Sequence, residues 1–192
     1  MLDDVALDRL FRTARTHYRW VDTPVSDDEL RAVYDLLKMG PTSANCSPAR
    51  FLFLRTASAK ERLRPALSAG NVASLAAPVL CIVAHDPAFF DHLPRLYPDV
   101  EARSWFAGNE RLATETSFRN GTLQGAYLLL AARAAGLDVG PMSGFDADKV
   151  DAEFMPYRGW KSNFLVALGH AEPGEPHPRA PRLSFDEACV LL

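Results

Sequence analysis

Arg15, Thr16, His17 and Arg19 bring two guanidiniums, a hydroxyl and an imidazole into five consecutive residues. Guanidinium pairs with phosphate oxygens through parallel charge-assisted bonds, so the cluster suits a phosphate grip as well as a solvated basic turn. A second group lies in the run Gly40-Pro41-Thr42-Ser43-Ala44-Asn45-Cys46-Ser47-Pro48. Prolines stiffen both ends of this loop, and Ser43 and Asn45 offer donors and acceptors to a flat polar ring. A third is Gly140-Pro141-Met142-Ser143-Gly144-Phe145-Asp146, where glycines let backbone N–H groups face a ligand. The fourth is Arg179-Ala180-Pro181-Arg182, a basic stretch in a proline-rich tail that either stays disordered or brings a further phosphate ligand.

Together these segments meet the needs of flavin mononucleotide (FMN). That cofactor takes cations at its phosphate, hydrogen-bond partners at its pyrimidine edge and a donor near N5. Neither G-x-G-x-x-G nor G-x-x-x-x-G-K-[ST] occurs, so NADH or NADPH is expected as a visiting reductant without a Rossmann site of its own. Cys46, Cys81 and Cys189 are odd in number and far apart. They fit neither a metal site nor a disulfide framework and read as free thiols.

Positioning these groups requires a regular scaffold. Residues 4–14 have helical spacing, and Ser26 with Glu29 forms a capping box for a helix that Gly40 and Pro41 stop. Residues 51–55 read as a strand. Ser58 and Glu61 repeat the capping pattern for a helix to about residue 68. Residues 78–84 read as a buried strand. Residues 85–113 are irregular and aromatic, as in a lid or an insertion. A long helix is expected over 114–135, with an apolar face through Leu123, Tyr127, Leu128, Leu130, Ala131 and Ala134 and Gly136 as its stop. Residues 140–146 read as a tight loop with Asp146 capping a short helix, residues 163–169 as a strand, and 171–192 as an extended tail. Mixed helices and strands joined by mostly helical connections predict a layered α+β sandwich in one domain, residues 1–192.

The 192 residues are 48% hydrophobic and 23% charged, as for a globular chain with a sizeable core. A net charge of -3 gives no reason to expect nucleic acid as a partner. No apolar run is long enough for a membrane helix, and the acidic N-terminus lacks a signal core, so a cytoplasmic protein is expected. Arginine supplies 17 of the 21 basic residues.

The chain resembles the flavin-dependent nitroreductase family over nearly its whole length. The matching stretches are Ala14–His17, Gly40–Arg50, Glu61–Leu67, Arg103–Phe106, Gly140–Asp146, Lys161–Asn163 and Pro181–Phe185. The long GPTSANCSPAR and GPMSGFD runs are similar to the subgroup that reduces malonic semialdehyde in bacterial pyrimidine utilisation. The resemblance implies a mixed sheet between helices in an intertwined homodimer, with two FMN sites at the interface. It implies Arg15, Thr16, His17 and Arg19 at the phosphate and ribityl end, with Arg182 returning to the phosphate. Pro41, Thr42, Ser43 and Asn45 reach the ring from the partner subunit, Asn71 meets the pyrimidine edge, Asn120 approaches the ring, and Pro141, Met142, Ser143 and Gly144 line it near N5. Two positions depart from the wider family: Ser74 stands where a lysine is common and Ser143 where a glutamate is usual.

The activity implied is ping-pong reduction of malonic semialdehyde to 3-hydroxypropanoate, with hydride passing from flavin N5. No side chain is assigned as catalytic, although Ser143 is one of several possible proton sources. Arg103, Arg119 and Lys161 are candidates to hold the substrate carboxylate. A broad nitro- or quinone-reductase is the nearest alternative. A flavin-binding protein without turnover, or a hydrolase built on Cys46 or Ser43, is a more distant one.

Overall fold

The computed structural model describes residues 1–174 and 177–192. Local signals account for most of the helices. Helix α1 (Asp4–Leu7) runs into a wide π-type turn over Asp8–Arg12. Helix α2 (Asp27–Leu37) has the expected capping box: the Ser26 hydroxyl accepts from the Glu29 N–H, and the Glu29 carboxylate accepts from the Ser26 N–H. Strand β1 (Ala49–Leu54) follows the 41–48 loop. Helix α3 (Ala57–Leu63) is capped by Thr56, two residues earlier than the Ser58–Glu61 pattern predicts, and the Thr56 side chain accepts from the Ala59 N–H at 3.1 Å. The helix ends at Leu63 instead of near residue 68, because Pro65 turns the chain into a 3₁₀ step over Arg64–Ala66.

Strand β2 (Val79–His85) is buried at every position. The aromatic 85–113 segment contains the short helix α4 (Leu93–Leu96) and two 3₁₀ turns. It has its own small core of Phe89, Leu93, Ala102 and Phe106, closed over Cys46 and Ala113. Helix α5 (Glu110–Ala134) starts four residues earlier than expected, because the Asn109 side chain caps it. Gly136, at φ +95°, follows its end.

Strand β3 (Asp138–Met142) occupies half of what reads in sequence as a loop. Its Pro141 is tolerated because β3 is an edge strand. Helix α6 (Ala147–Phe154) is capped by Asp146 as expected, and strand β4 (Lys161–Gly169) and helix α7 (Phe185–Ala188) complete the chain.

The sheet order is β1-β2-β4-β3, and every strand pair is antiparallel. The mixed character expected of the sheet is confined to one parallel bridge, Thr16 to Val139, outside β3. Side chains alternate across the central strands, as period-two geometry requires. Val79, Cys81 and Val83 pack with Val166 and Leu168 beneath α2 and α5. Leu80, Ile82 and Ala84 pack with Leu165 and Ala167 on the opposite face, against α3 and α6. Burying each such leucine or isoleucine contributes about 1.5–3 kcal/mol, and this pins the strands that carry the site.

Helix α5 departs from the face its apolar spacing predicts. Leu128, Ala131 and Ala132 are buried, but Leu123 is 40% exposed and Ala134 is exposed. In the first half of the helix the buried face is Thr116, Ser117, Asn120, Gly121 and Gln124. Those polar residues face the 43–49 backbone and the end of β2, where hydrogen bonds are needed more than apolar area. Among the described residues no helix is long and apolar enough to cross a membrane, and no group of His, Cys, Asp and Glu is arranged to hold a metal.

Candidate active site

The N-terminal strand-like segment runs along the outer edge of β3. The His17 N–H donates to the Val139 carbonyl at 3.1 Å, and His17 Nε2 lies 3.7 Å from Asp138 Oδ1. Gly140 is required here, because a Cβ would sit 2.5 Å from the His17 carbonyl oxygen. This pairing turns Arg15 inward. One of its terminal nitrogens donates to the Thr13 and Ala14 carbonyls at 3.0 Å, and its Nε is buried with no partner among the described residues.

The tail brings Arg179 and Arg182 to the same place. Arg179 donates to the carbonyls of Phe11 at 3.0 Å and of Arg12 and Ala14 at 2.8 Å. Arg133, from the last turn of α5, donates to the Leu10 carbonyl at 3.0 Å. These four arginines, with Thr16, Tyr18 and His177, line a pocket of about 440 Å³. Elsewhere Arg12, Arg50, Arg55, Arg62, Arg64, Arg103 and Arg119 pair with carboxylates. Among the described residues, Arg15, Arg133, Arg179 and Arg182 have no such pair, and neither do Arg9, Arg19, Arg31, Arg95, Arg111 and Arg158, but only the first four converge on one pocket. Desolvation, and then the charges of Arg15 and Arg182, lower the pKa of Arg179. Arg133 is lowered by burial and then by Arg179, with the Asp138 carboxylate pulling the other way. A site in which guanidiniums repel one another, and none has an ion-pair partner among the described residues, suits an anion. A hollow of about 410 Å³ adjoins it, lined by Thr16, His17, Arg19 and the Glu172–Gly174 backbone.

Further along β3 the chain builds a second polar cradle. Pro141 and Met142 are the last residues of the strand, paired with Val166 and Leu165. Beyond them Ser143 is exposed. The Gly144 carbonyl accepts from Asn71 Nδ2 at 2.8 Å and from the Ser68 N–H at 3.0 Å. A Cβ on Gly144 would lie 2.6 Å from Asn71 Nδ2, so glycine is needed for this contact. The Ser74 hydroxyl donates to the Asn71 carbonyl at 2.6 Å and holds the Asn71 turn from below. At about 3.3 Å per strand residue, Val139, beside the arginines, and Met142, beside this cradle, are about 10 Å apart. That spacing suits a molecule with a phosphate at one end and a flat polar ring at the other.

The profile of the Nitroreductase family matches residues 11–170 of the chain. The chain belongs to the nitroreductase family. A Burkholderia lata protein that carries the name NADH dehydrogenase/NAD(P)H nitroreductase is 59% identical over 191 residues, covering 99% of this chain and 98% of that one. A crystal structure of a Bacillus subtilis nitroreductase superposes with a TM-score of 0.88 at 18% identity, covering 99% of this chain and 100% of that one. A nitroreductase of Exiguobacterium sibiricum, crystallised in complex with FMN, superposes with a TM-score of 0.86 at 20% identity, covering 100% of this chain and 98% of that one.

In this nitroreductase-family chain the 41–48 loop is held from α5 and α4. The Ser43 N–H donates to Asn120 Oδ1 at 2.9 Å, the Tyr127 hydroxyl to the Pro41 carbonyl at 3.0 Å, and Asn45 Nδ2 to the Leu96 carbonyl at 2.7 Å. Thr42 Oγ1 accepts from the Ser47 N–H at 3.1 Å. Ala44, Asn45 and Ser47 all have positive φ, between 40° and 49°. Each such non-glycine residue costs on the order of 1–3 kcal/mol, so this network holds a strained conformation. Among the described residues no hydrogen bond joins the loop to the 15–19 or 141–144 segments of the same chain. Asn120 is 3% exposed, and its amide is engaged at both ends, donating to the Thr116 carbonyl at 2.9 Å. It therefore acts here on the loop, through Ser43.

Each of the three cations considered for a substrate carboxylate has an acidic partner. Arg103 pairs with Asp91 at 2.8 Å and lies over the Phe90 ring, Arg119 pairs with Glu115 at 2.6 Å, and Lys161 pairs with Asp151 at 3.4 Å. Sequence reasoning did not assign Arg133 to the anion pocket, and it took Arg179 only as part of a basic tail. A lone arginine in the otherwise apolar last turn of α5 was the available signal for Arg133. It also missed the buried polar ladder. His85 Nδ1 lies 2.9 Å from Ser117 Oγ, and Gln124 Oε1 accepts from the Ala49 N–H at 2.9 Å. The Ser117 hydroxyl donates to the Thr114 carbonyl, so His85 Nδ1 is the donor in that pair.

Proposed function

We propose that this nitroreductase-family protein is an FMN-dependent oxidoreductase that uses NADH or NADPH to reduce a small organic acceptor. The observation that carries this reading is the pair of polar sites along β3. An arginine pocket with no ion-pair partner among the described residues lies beside Val139, and the Asn71–Gly144 cradle lies beyond Met142, about 10 Å further along the strand. The buried, unpartnered Nε of Arg15 fits an oxyanion in that pocket. Arg15, Arg182 and Thr16 would hold the FMN phosphate, with His17 and Arg19 beside the ribityl chain. Asn71 and residues 141–144 would hold the ring. When bound, the flavin supplies hydride chemistry, taking electrons from the nicotinamide and passing them to the acceptor. The residues around it orient both partners on one ring face and exclude water. The exposed Ser143 hydroxyl is positioned to relay a proton to a reduced acceptor.

A homodimer accounts for the remaining surface. Phe118 and Leu123 on α5 are 51% and 40% exposed, and Phe185, Val190 and Leu191 in the tail are 59%, 80% and 84% exposed. A second copy offers these residues apolar cover and brings its 41–45 loop, with Pro41, Thr42, Ser43 and Asn45, to the ring. Such a protein needs no membrane or nucleic-acid partner and suits the cytoplasm.

The finer assignment is reduction of malonic semialdehyde to 3-hydroxypropanoate, supported by the GPTSANCSPAR and GPMSGFD runs. A second reading, a broad nitro- or quinone-reductase, is favoured by the acidic partners already held by Arg103, Arg119 and Lys161. The deciding experiment is a panel of kcat/KM values with NADH or NADPH. A preference for the aldehyde over nitroaromatics and quinones supports the first reading, and the reverse order supports the second.

A further inference from the structure

Arg179 and Arg133 are bonded differently from the other two arginines of the anion pocket. Arg15 and Arg182 spend their visible hydrogen bonds on carbonyls within three residues of themselves. Arg179 reaches across the chain, and one of its terminal nitrogens meets the carbonyls of Phe11, Arg12 and Ala14. These carbonyls belong to the end of the N-terminal helical turn and the residues after it, a place that favours a cation. Arg133, from α5, reaches the Leu10 carbonyl of the same turn. The N-terminal turn is thus gripped between α5 and the tail.

That grip gathers four positive charges without a carboxylate partner among the described residues. Desolvation first, and then the charges of Arg15 and Arg182, disfavour Arg179 as a cation. Tail residues 177–183 form no helix or strand and are exposed. Hydrogen bonds to carbonyls fasten this segment while like charge works to release it, so an anion at the centre changes the balance.

Resting on the flavin reading above, we infer that a phosphate group seated among Arg15, Arg133, Arg179 and Arg182 fastens the tail, so that cofactor loading and docking of residues 177–182 onto the N-terminal turn are one linked event. The phosphate replaces repulsion with charge-assisted bonds from both the tail and the body of the chain. By linkage, whatever docks the tail raises phosphate affinity, and phosphate docks the tail to the same degree. Arg133 and Arg179 join Arg15 and Arg182 as ligands. Riboflavin, which has the ring and lacks the phosphate, fills the ring cradle without closing the strap.

The test uses the full-length protein with FMN, riboflavin or inorganic phosphate added, and reads amide hydrogen exchange in residues 177–183 by mass spectrometry. FMN is expected to slow exchange there, inorganic phosphate to slow it at higher concentration, and riboflavin to leave it unchanged. Arg179→Ala is expected to weaken FMN about tenfold to a hundredfold while leaving riboflavin affinity within about twofold, which also checks that the variant folds. Bound FMN without slowed exchange, riboflavin slowing it equally, or equal loss of both flavins in Arg179→Ala would overturn the strap while leaving the flavin reading intact. Failure of FMN to bind, with phosphate still slowing exchange, would remove the flavin reading and leave the strap standing.

Discussion

The side-chain oxygen of Asn120 accepts the backbone N–H of Ser43 at 2.9 Å, and so ties the middle of α5 to a loop with three left-handed non-glycine residues. Gln124, one turn later, does the same for the Ala49 N–H where that loop enters β1. Replacing Asn120 with alanine removes both of its bonds inside a buried site. The expected loss is about 1–3 kcal/mol of stability, read as a lower midpoint in urea unfolding with an unchanged slope. An unchanged midpoint would mean that the loop holds its shape without α5.

Gly144→Ala places a methyl carbon 2.6 Å from Asn71 Nδ2 and 3.2 Å from Ser68 Oγ. The cost falls on the ring cradle, because Asn71 must swing away and leave the Gly144 carbonyl. Flavin affinity is expected to drop about tenfold or more, with FMN and riboflavin affected alike. Fluorescence titration with both flavins checks this, and a variant that binds each as the parent does would detach Asn71 from the site.

Burial lowers the pKa of His85, against the opposing pull of Asp151 and Asp86 and with Lys161 acting in the same direction as burial. Its folded-state pKa therefore lies below its unfolded value of about 6.5. The neutral ring's contribution is fully present above that value and is lost as pH falls through the folded pKa. Stability in urea is expected to decline below about pH 6.5, and His85→Asn is expected to flatten that decline. Parallel curves for the two proteins would exclude His85 as a source of the acid sensitivity.

Cys46 is fully buried, and its thiol is pushed up to about 11, chiefly by burial. Cys81 is likewise raised by burial within β2. Neither offers thiolate near neutral pH. Iodoacetamide at pH 8 is expected to leave both unmodified in the native protein and to label them after unfolding, as mass spectrometry would read. Rapid native alkylation of Cys46 would revive the cysteine-hydrolase alternative.

The parts of the fold that depend on local chemistry were legible in the sequence. The Ser26–Glu29 box, the Asp146 cap and the buried β2 all lie where residue type and spacing put them. Strand β3 was not legible, because glycine and proline signal a turn and only pairing with β4 makes that run a strand. The polar buried face of α5 escaped a pattern that counts apolar residues alone. Thr56 and Ser58 are both able to cap, and their neighbours decide between them. At the site, Arg15 and Arg182 were legible as members of two basic clusters, and the structure brings them to one pocket. Arg133 and Arg179 reach the pocket through contacts more than 100 residues away in sequence, which no local spacing encodes.

The central claim is that the arginine pocket and the Asn71–Gly144 cradle hold FMN together. The absorption spectrum of the purified protein, recorded before and after anaerobic addition of NADH or NADPH, tests it most directly. The account predicts the yellow absorption bands of an oxidised flavin, at roughly one FMN per chain, that bleach on addition of the nucleotide. A colourless protein that takes up no added FMN, or a bound flavin that neither nucleotide reduces, would contradict it.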